Sequence, residues 1–217
     1  MKTLLFGIVV IIIVGFGGLA YRNAVEHTQQ PIMCPLDARV CPDGTAVART
    51  GSSCTFAPCA PPNVSLDTVD IAFAIPDGFV ASTSADTTSV AFYTAPDSSS
   101  AESHSISIHQ YSIRASSTAL ATIQETALGA PSGTNLPTTA FSSTMLGTHR
   151  FTVVLLERFE GVVTTAYYLA RGTDVLRFDS VDTGVQDWAN TSLDTTTLAA
   201  NRALRKLLTT LEGTTSE

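Results

Sequence analysis

Charge is scarce in this sequence. Asp, Glu, Lys and Arg make up 14% of the 217 residues, and lysine occurs only at Lys2 and Lys206. The 12 basic and 19 acidic residues leave a formal charge of -7, and Lys and Arg nowhere form a cluster. Nucleic-acid binding needs cationic patches that displace counterions from phosphates, so DNA and RNA are not expected partners. There is no G-x-S-x-G nucleophile elbow and no phosphate-binding glycine loop. Cysteine is absent outside one short stretch, and no cofactor is expected. A domain of about 150 residues buries roughly two-thirds of its unfolded surface, enough for a core that stands alone. The uncharged polar residues are largely Ser and Thr, which suit strands and loops better than long solvated helices.

One long apolar run is present. From Leu4 to Ala20 the chain reads LLFGIVVIIIVGFGGLA, between Lys2 and Arg22. Leu, Ile, Phe and Val favour insertion into lipid, and glycine is tolerated in lipid-embedded helices. The length is close to a bilayer span, so residues 4–21 are expected to meet the membrane, with the N-terminus cytoplasmic and the main domain outside. Gly18-Leu19-Ala20 also fits the small-residue site of a cleavable signal peptide, though the run exceeds the usual apolar region of one. A buried core helix is the weaker reading, because an element apolar on every side seldom sits at the extreme terminus of so small a protein. No cysteine follows closely enough to accept lipid.

All four cysteines, Cys34, Cys41, Cys54 and Cys59, fall within CPLDARVCPDGTAVARTGSSCTFAPC. An even number of cysteines in a Gly/Pro-rich stretch behind an export signal reads as two disulfides made in an oxidising compartment. Three pairings are open. Zinc is the rival, but neither Cys34/Cys41 nor Cys54/Cys59 has the tight gap of a structural zinc site. Pro42-Asp43-Gly44 has the residues of a turn. The CPDGT and CTFAPC elements resemble a short cysteine-rich motif of membrane-anchored or secreted bacterial proteins. The segment also resembles, more faintly, Kazal-type protease inhibitors, with four cysteines here against their six. That second resemblance implies a loop presented to a protease.

After Ala60-Pro61-Pro62 the pattern turns strand-like. Val69, Ile71, Phe73 and Ile75 alternate with Asp70, Ala72 and Ala74, and Pro76-Asp77-Gly78 ends the run in a turn. Further strands are expected around 89–93, 105–113 and 138–146. Between the last two, Leu120, Ile123, Ala127 and Leu128 recur at helical spacing behind a Ser/Thr cap, predicting a helix over 117–128. Strands at 150–157, 162–170 and 173–181, joined through Glu160-Gly161 and Arg171-Gly172, form an antiparallel meander. A final helix carries Leu198, Leu204, Leu207, Leu208 and Leu211 on one face up to Gly213.

These elements give an α+β class, an antiparallel sheet packed with helices, since no βαβ alternation is present. The organisation is 1–22 transmembrane anchor or signal peptide, 23–33 linker, 34–60 cysteine-rich knuckle, 61–68 linker and 69–213 α+β domain. The larger domain resembles the PsbP/Mog1-like fold in IAFAIPDGFVAS at 71–82, in the late meander and in the closing ALRKLLTTLE helix, with Phe79 where that fold more often has Trp. The resemblance implies a domain that binds partner proteins or assists assembly, and carries over no functional residue.

Of the histidines, His27 lies just outside the apolar run. His104 and His109 flank Ser-Ile-Ser-Ile, and their odd spacing sends them to opposite faces of one strand, so they would not share a metal. His149, in the Gly147-Thr148 turn, is expected to be solvated. The serines at 98–100 and 103 read as loop. Asp174, Asp179, Asp182 and Asp187 read as turn formers and solubilising charge. Adjacent Tyr167 and Tyr168 must face opposite sides of their strand, one toward the core and the other free to meet a surface. Tyr93, Tyr111 and Trp188 complete the candidate aromatic contacts, with burial the default. No catalytic, cofactor-binding or metal residue is assigned. The expected function is a non-catalytic binding or assembly module with a protein partner in the cell envelope. The rivals are a ligand-presenting role for residues 34–59 and a hydrolase using His104 or His109.

Overall fold

The computed structural model describes residues 7, 13–22, 33–41, 45–59, 61–84, 86, 88–95 and 103–213. Residues 13–22 are helical (α1). Most of the remaining expected membrane segment, together with His27, the Pro42-Asp43-Gly44 turn and the serine run 98–100, lies outside the described residues. Among the described residues no helix is long and apolar enough to cross a membrane. Two compact units are present, Met1–Arg39 with Ala46–Pro58, and Val40–Thr45 with Cys59–Glu217.

The cysteine-rich stretch forms a three-stranded sheet, β1 (Ala38–Val40), β2 (Ala46–Thr50) and β3 (Thr55–Phe56), in that order. Its cysteines are disulfide-bonded, Cys34 to Cys54 and Cys41 to Cys59, which selects one of the three pairings and leaves no thiolate for zinc. Among the described residues of the first unit, one side chain gathers several partners. Arg49 donates from Nε and Nη2 to the Asp37 carboxylate at 2.7 and 3.0 Å, donates from Nη1 to Cys54 O, and lies 4.1 Å over the Phe56 ring.

In the larger unit, β4 (Val64–Leu66) and β5 (Ile71–Phe73) form a hairpin. The strand expected from Val69 therefore starts later, because Asp70 takes a positive φ of 50° in the reversing turn. β4 falls in the stretch read from sequence as linker. The main sheet is built from β6 (Val80–Ala81), β7 (Ser89–Thr94), β8 (His104–Ser112), β11 (Ser142–Leu146), β12 (His149–Phe159), β13 (Val162–Ala170) and β14 (Asp174–Asp182). Its seven strands run in the order β11-β12-β13-β14-β8-β7-β6, antiparallel throughout. Between β8 and β11 come α2 (Ala119–Thr126) and the small pair β9 (Leu128–Gly129) and β10 (Thr134–Asn135). The 138–146 strand is shorter than expected, since Thr138–Ala140 is a 3-10 turn.

The meander is present as predicted. Glu160 and Gly161, at φ 48° and 80°, supply the two left-handed residues that a type I′ hairpin requires. After β14 the chain passes a second 3-10 turn and enters α3 (Ala199–Thr209), whose Leu204, Leu207 and Leu208 are fully buried. They join Phe73, Ile106, Ile108, Phe151, Tyr167 and Phe178 in the larger core. The opposite sheet face holds a smaller core of Ile123, Ala127, Val154, Leu156, Ala166, Tyr168 and Val175. Leu120 and Leu128, expected on the buried stripe of α2, are exposed instead: the buried residues of the helix are Thr122 and Ile123, and buried Ala127 follows its end at Thr126.

Candidate functional site

Sheet register places the polar residues of β8 and β14 in cross-strand rows. Ser107 lies opposite Asp179, His109 opposite Arg177 and His104 opposite Asp182. His104 and His109 occupy opposite faces, as their spacing predicts, and among the described residues no group of three or more metal-ligating side chains gathers. The site residues therefore form two separate networks.

On the α2 face, the His109 ring is 5% exposed. Its Nε2 lies 3.0 Å from Ser107 Oγ and 3.5 Å from Asp179 Oδ2. Its Nδ1 lies 3.3 Å from Thr88 Oγ1 and 3.7 Å from Asp86 Oδ2. The ring stacks on Tyr111 with 18° between planes. Arg177 donates to both Asp179 oxygens at 2.7 and 2.6 Å, and through Nη1 to Thr126 O at the end of α2. It also lies 5.9 Å over the Tyr168 ring.

The electrostatics follow from that enclosure. Burial pushes the His109 pKa down, assisted by Arg177 and opposed by Asp179 and Asp86, and the net direction favours neutral imidazole. Burial likewise opposes the charge on Arg177, but Asp179 outweighs it and raises the pKa, so the guanidinium stays ionised. Burial pushes the Tyr168 phenol up to about 12. Hydroxyls thus meet both ring nitrogens, Ser107 at Nε2 and Thr88 at Nδ1, with the Asp179 carboxylate beside Nε2 at 3.5 Å. Arg177, however, is committed to Asp179 and Thr126 O, so its donors tie α2 to the sheet.

On the α3 face, Asp182 is 1% exposed. Its carboxylate accepts from the Ala200 and Asn201 N–H groups at 2.7 and 3.2 Å, and Oδ1 lies 3.0 Å from His104 Nδ1. Asp174 is held bidentately by Arg171 and accepts from Gln110 Nε2 at 2.5 Å. These findings correct the reading of the aspartates as solvated turn formers: Asp174, Asp179 and Asp182 are buried because each meets donors that the fold supplies, and only Asp187 remains exposed. One signal was available for Asp179. It stands two residues after Arg177, on the same strand face.

The aromatic candidates are mostly structural. Tyr167 and Tyr168 are both buried, since helices cover both faces of β13, and Tyr167 donates to Asn201 Oδ1 at 2.7 Å. Tyr93 packs edge-on against Phe73, and Trp188 against Phe159. His149 is half-buried beside Phe151 at the start of β12, and burial lowers its pKa, so it does not stand solvated in the turn.

A separate recess of about 290 Å³ lies where the end of β5 meets the last turn of α3. Its wall includes Pro61, Asn63, Ile75, Asp77, Lys206 and Thr210. Asn63 Oδ1 accepts from Ile75 N–H and Thr210 Oγ1 accepts from Ala74 N–H, both at 2.9 Å, while Thr210 Oγ1 donates to Leu207 O at 2.7 Å. Ala72 and Glu212 exchange two backbone hydrogen bonds nearby.

No family model matches the chain, and no curated protein matches it. Among solved structures, the chain is similar to a crystal structure of a protein from Bacteroides thetaiotaomicron VPI-5482, at 9% identity and a TM-score of 0.38. The match covers 66% of this chain and 45% of that one, so the chain spans less than half the length of the protein it matches.

Proposed function

We propose that this protein is a non-catalytic binding or assembly module of the cell envelope, held at the membrane through residues 4–21 with its α+β domain outside the cytoplasm. The carrying observation is that the buried carboxylates Asp174, Asp179 and Asp182 are each met by donors that the fold supplies. Arg177 joins Asp179 to the end of α2, both ring nitrogens of His109 meet hydroxyls of Ser107 and Thr88, Asp182 holds the start of α3, and Asp174 is clasped by Arg171. Catalytic groups keep a reactive atom directed at a substrate, whereas here the hydrogen-bonding capacity is directed inward.

The two disulfides support an oxidising compartment. The apolar run between Lys2 and Arg22 supports the tether. The meander, the Pro76-Asp77-Gly78-Phe79 turn and the closing α3 support a PsbP/Mog1-like arrangement, in which partner binding is the common role.

In-cell crosslinking of the full-length protein, followed by detergent extraction and mass spectrometry, tests the proposal. Repeated recovery of one envelope protein is the expected result. Substrate turnover by the purified protein that disappears in His109→Ala would overturn it.

A further inference from the structure

Lys206 and Asp77 carry opposite charges on the wall of one recess, and neither has an ion-pair partner among the described residues. This contrasts with Asp174 and Asp179, whose arginine partners lie within 2.7 Å. Pro61, Ala74, Ile75 and Pro76 make the apolar part of the same wall, beside polar Thr45, Asn63 and Thr210. Asn63 adds directional polarity: its oxygen is committed to Ile75 N–H, which leaves the amide nitrogen as donor. The frame is fixed before any ligand arrives, because Asn63 and Thr210 anchor the two sides of the Ala74–Ile75 backbone.

We propose that this recess binds a small zwitterion with an apolar body, an α-amino acid or very short peptide. Its carboxylate would meet Lys206 and the Asn63 amide, its ammonium group Asp77, and its side chain Ile75 and the prolines. The volume of about 290 Å³ lies at the lower end of ligand pockets, which run from roughly 300 to 1,000 Å³, so the ligand is small. A ligand of both charges satisfies two exposed groups of opposite sign, whereas a simple anion or amine satisfies one. This site stands independently of the tether and of the protein partner proposed above.

The test is amide chemical-shift perturbation of the full-length protein in detergent, titrated with L-leucine, N-acetyl-leucine and leucine amide. Leucine is expected to move Ala74, Ile75 and Thr210 saturably. The two singly charged analogues are expected to bind at least about tenfold more weakly, the equivalent of one lost interaction of about 1.4 kcal/mol. Lys206→Met and Asp77→Asn are each expected to weaken leucine by about the same factor while leaving the remaining amide spectrum in place. No saturable shift, equal binding of all three probes, or unchanged binding by both variants would overturn the assignment.

Discussion

At the scale of single residues, buried carboxylates decide most. α3 begins behind Leu198, which has no capping side chain, and the orphan N–H groups of Ala200 and Asn201 are satisfied by Asp182 from the end of β14. Removing that carboxylate strands both buried donors, so Asp182→Ala is expected to cost about 3 kcal/mol in urea unfolding followed by Trp188 fluorescence. Asp182→Asn keeps an acceptor and should cost less. Asp174 gives a pH signature. Burial raises its carboxyl pKa, but hydrogen bonds from Arg171 and Gln110 and the Arg171 charge outweigh burial and hold it below its ordinary 3.8. Between the folded and unfolded pKa values the unfolded chain binds more protons, so this stabilisation is present above pH 3.8 and is lost as the pH falls through the folded value. The stability difference between wild type and Asp174→Asn should therefore shrink on acidification below about pH 4, measured by urea midpoints across pH.

At the scale of elements, the two domain helices contrast. Of the leucine stripe read for the last helix, Leu204, Leu207 and Leu208 of α3 and Leu211 just beyond it pack in one core, while Leu198 stands at the N-cap and is only partly buried. The stripe of α2 was readable only in part, since Leu120 is 60% exposed while Ile123 is 4% exposed. Leu204→Ala is expected to cost about 3 kcal/mol, through lost transfer energy and a residual cavity. Leu120→Ala should change stability by no more than about 0.5 kcal/mol. Parallel thermal and denaturant melts check both, and equal losses would contradict the burial asymmetry. Strand positions within the meander were legible for the same local reason, alternation and a Glu160-Gly161 turn. The burial of both Tyr167 and Tyr168 was not, because it depends on a helix covering each face.

At the scale of the whole molecule, the disulfides and the main sheet are separable sources of order. Cys34–Cys54 and Cys41–Cys59 close loops with sequence separations of 20 and 18 residues, each adding about 3 kcal/mol in the chain-entropy picture. The first unit contains Cys34–Cys54 and leans on that closure and on Arg49, while the larger unit contains Cys41–Cys59 and has two apolar cores. Reduction is therefore expected to abolish amide-exchange protection in β2 and β3 and to leave β12, β13 and β14 protected. Loss of protection in all five strands together would show that the whole chain unfolds as one unit.

The sequence by itself determined the α+β class, the meander, the leucine face of α3, the oxidised cysteines and the opposite facing of His104 and His109. All are consequences of local geometry, in which a period of two or of 3.6 residues and a turn dipeptide act within a few positions. Only the tertiary structure decided the pairing of β14 with β8, and with it the meeting of Arg177 and Asp179 with His109. The same holds for the choice among three disulfide pairings and for the placing of Asp77 and Lys206 on one recess wall. Residues far apart in the chain meet according to how sheets and helices stack, and no local period encodes which distant partner arrives.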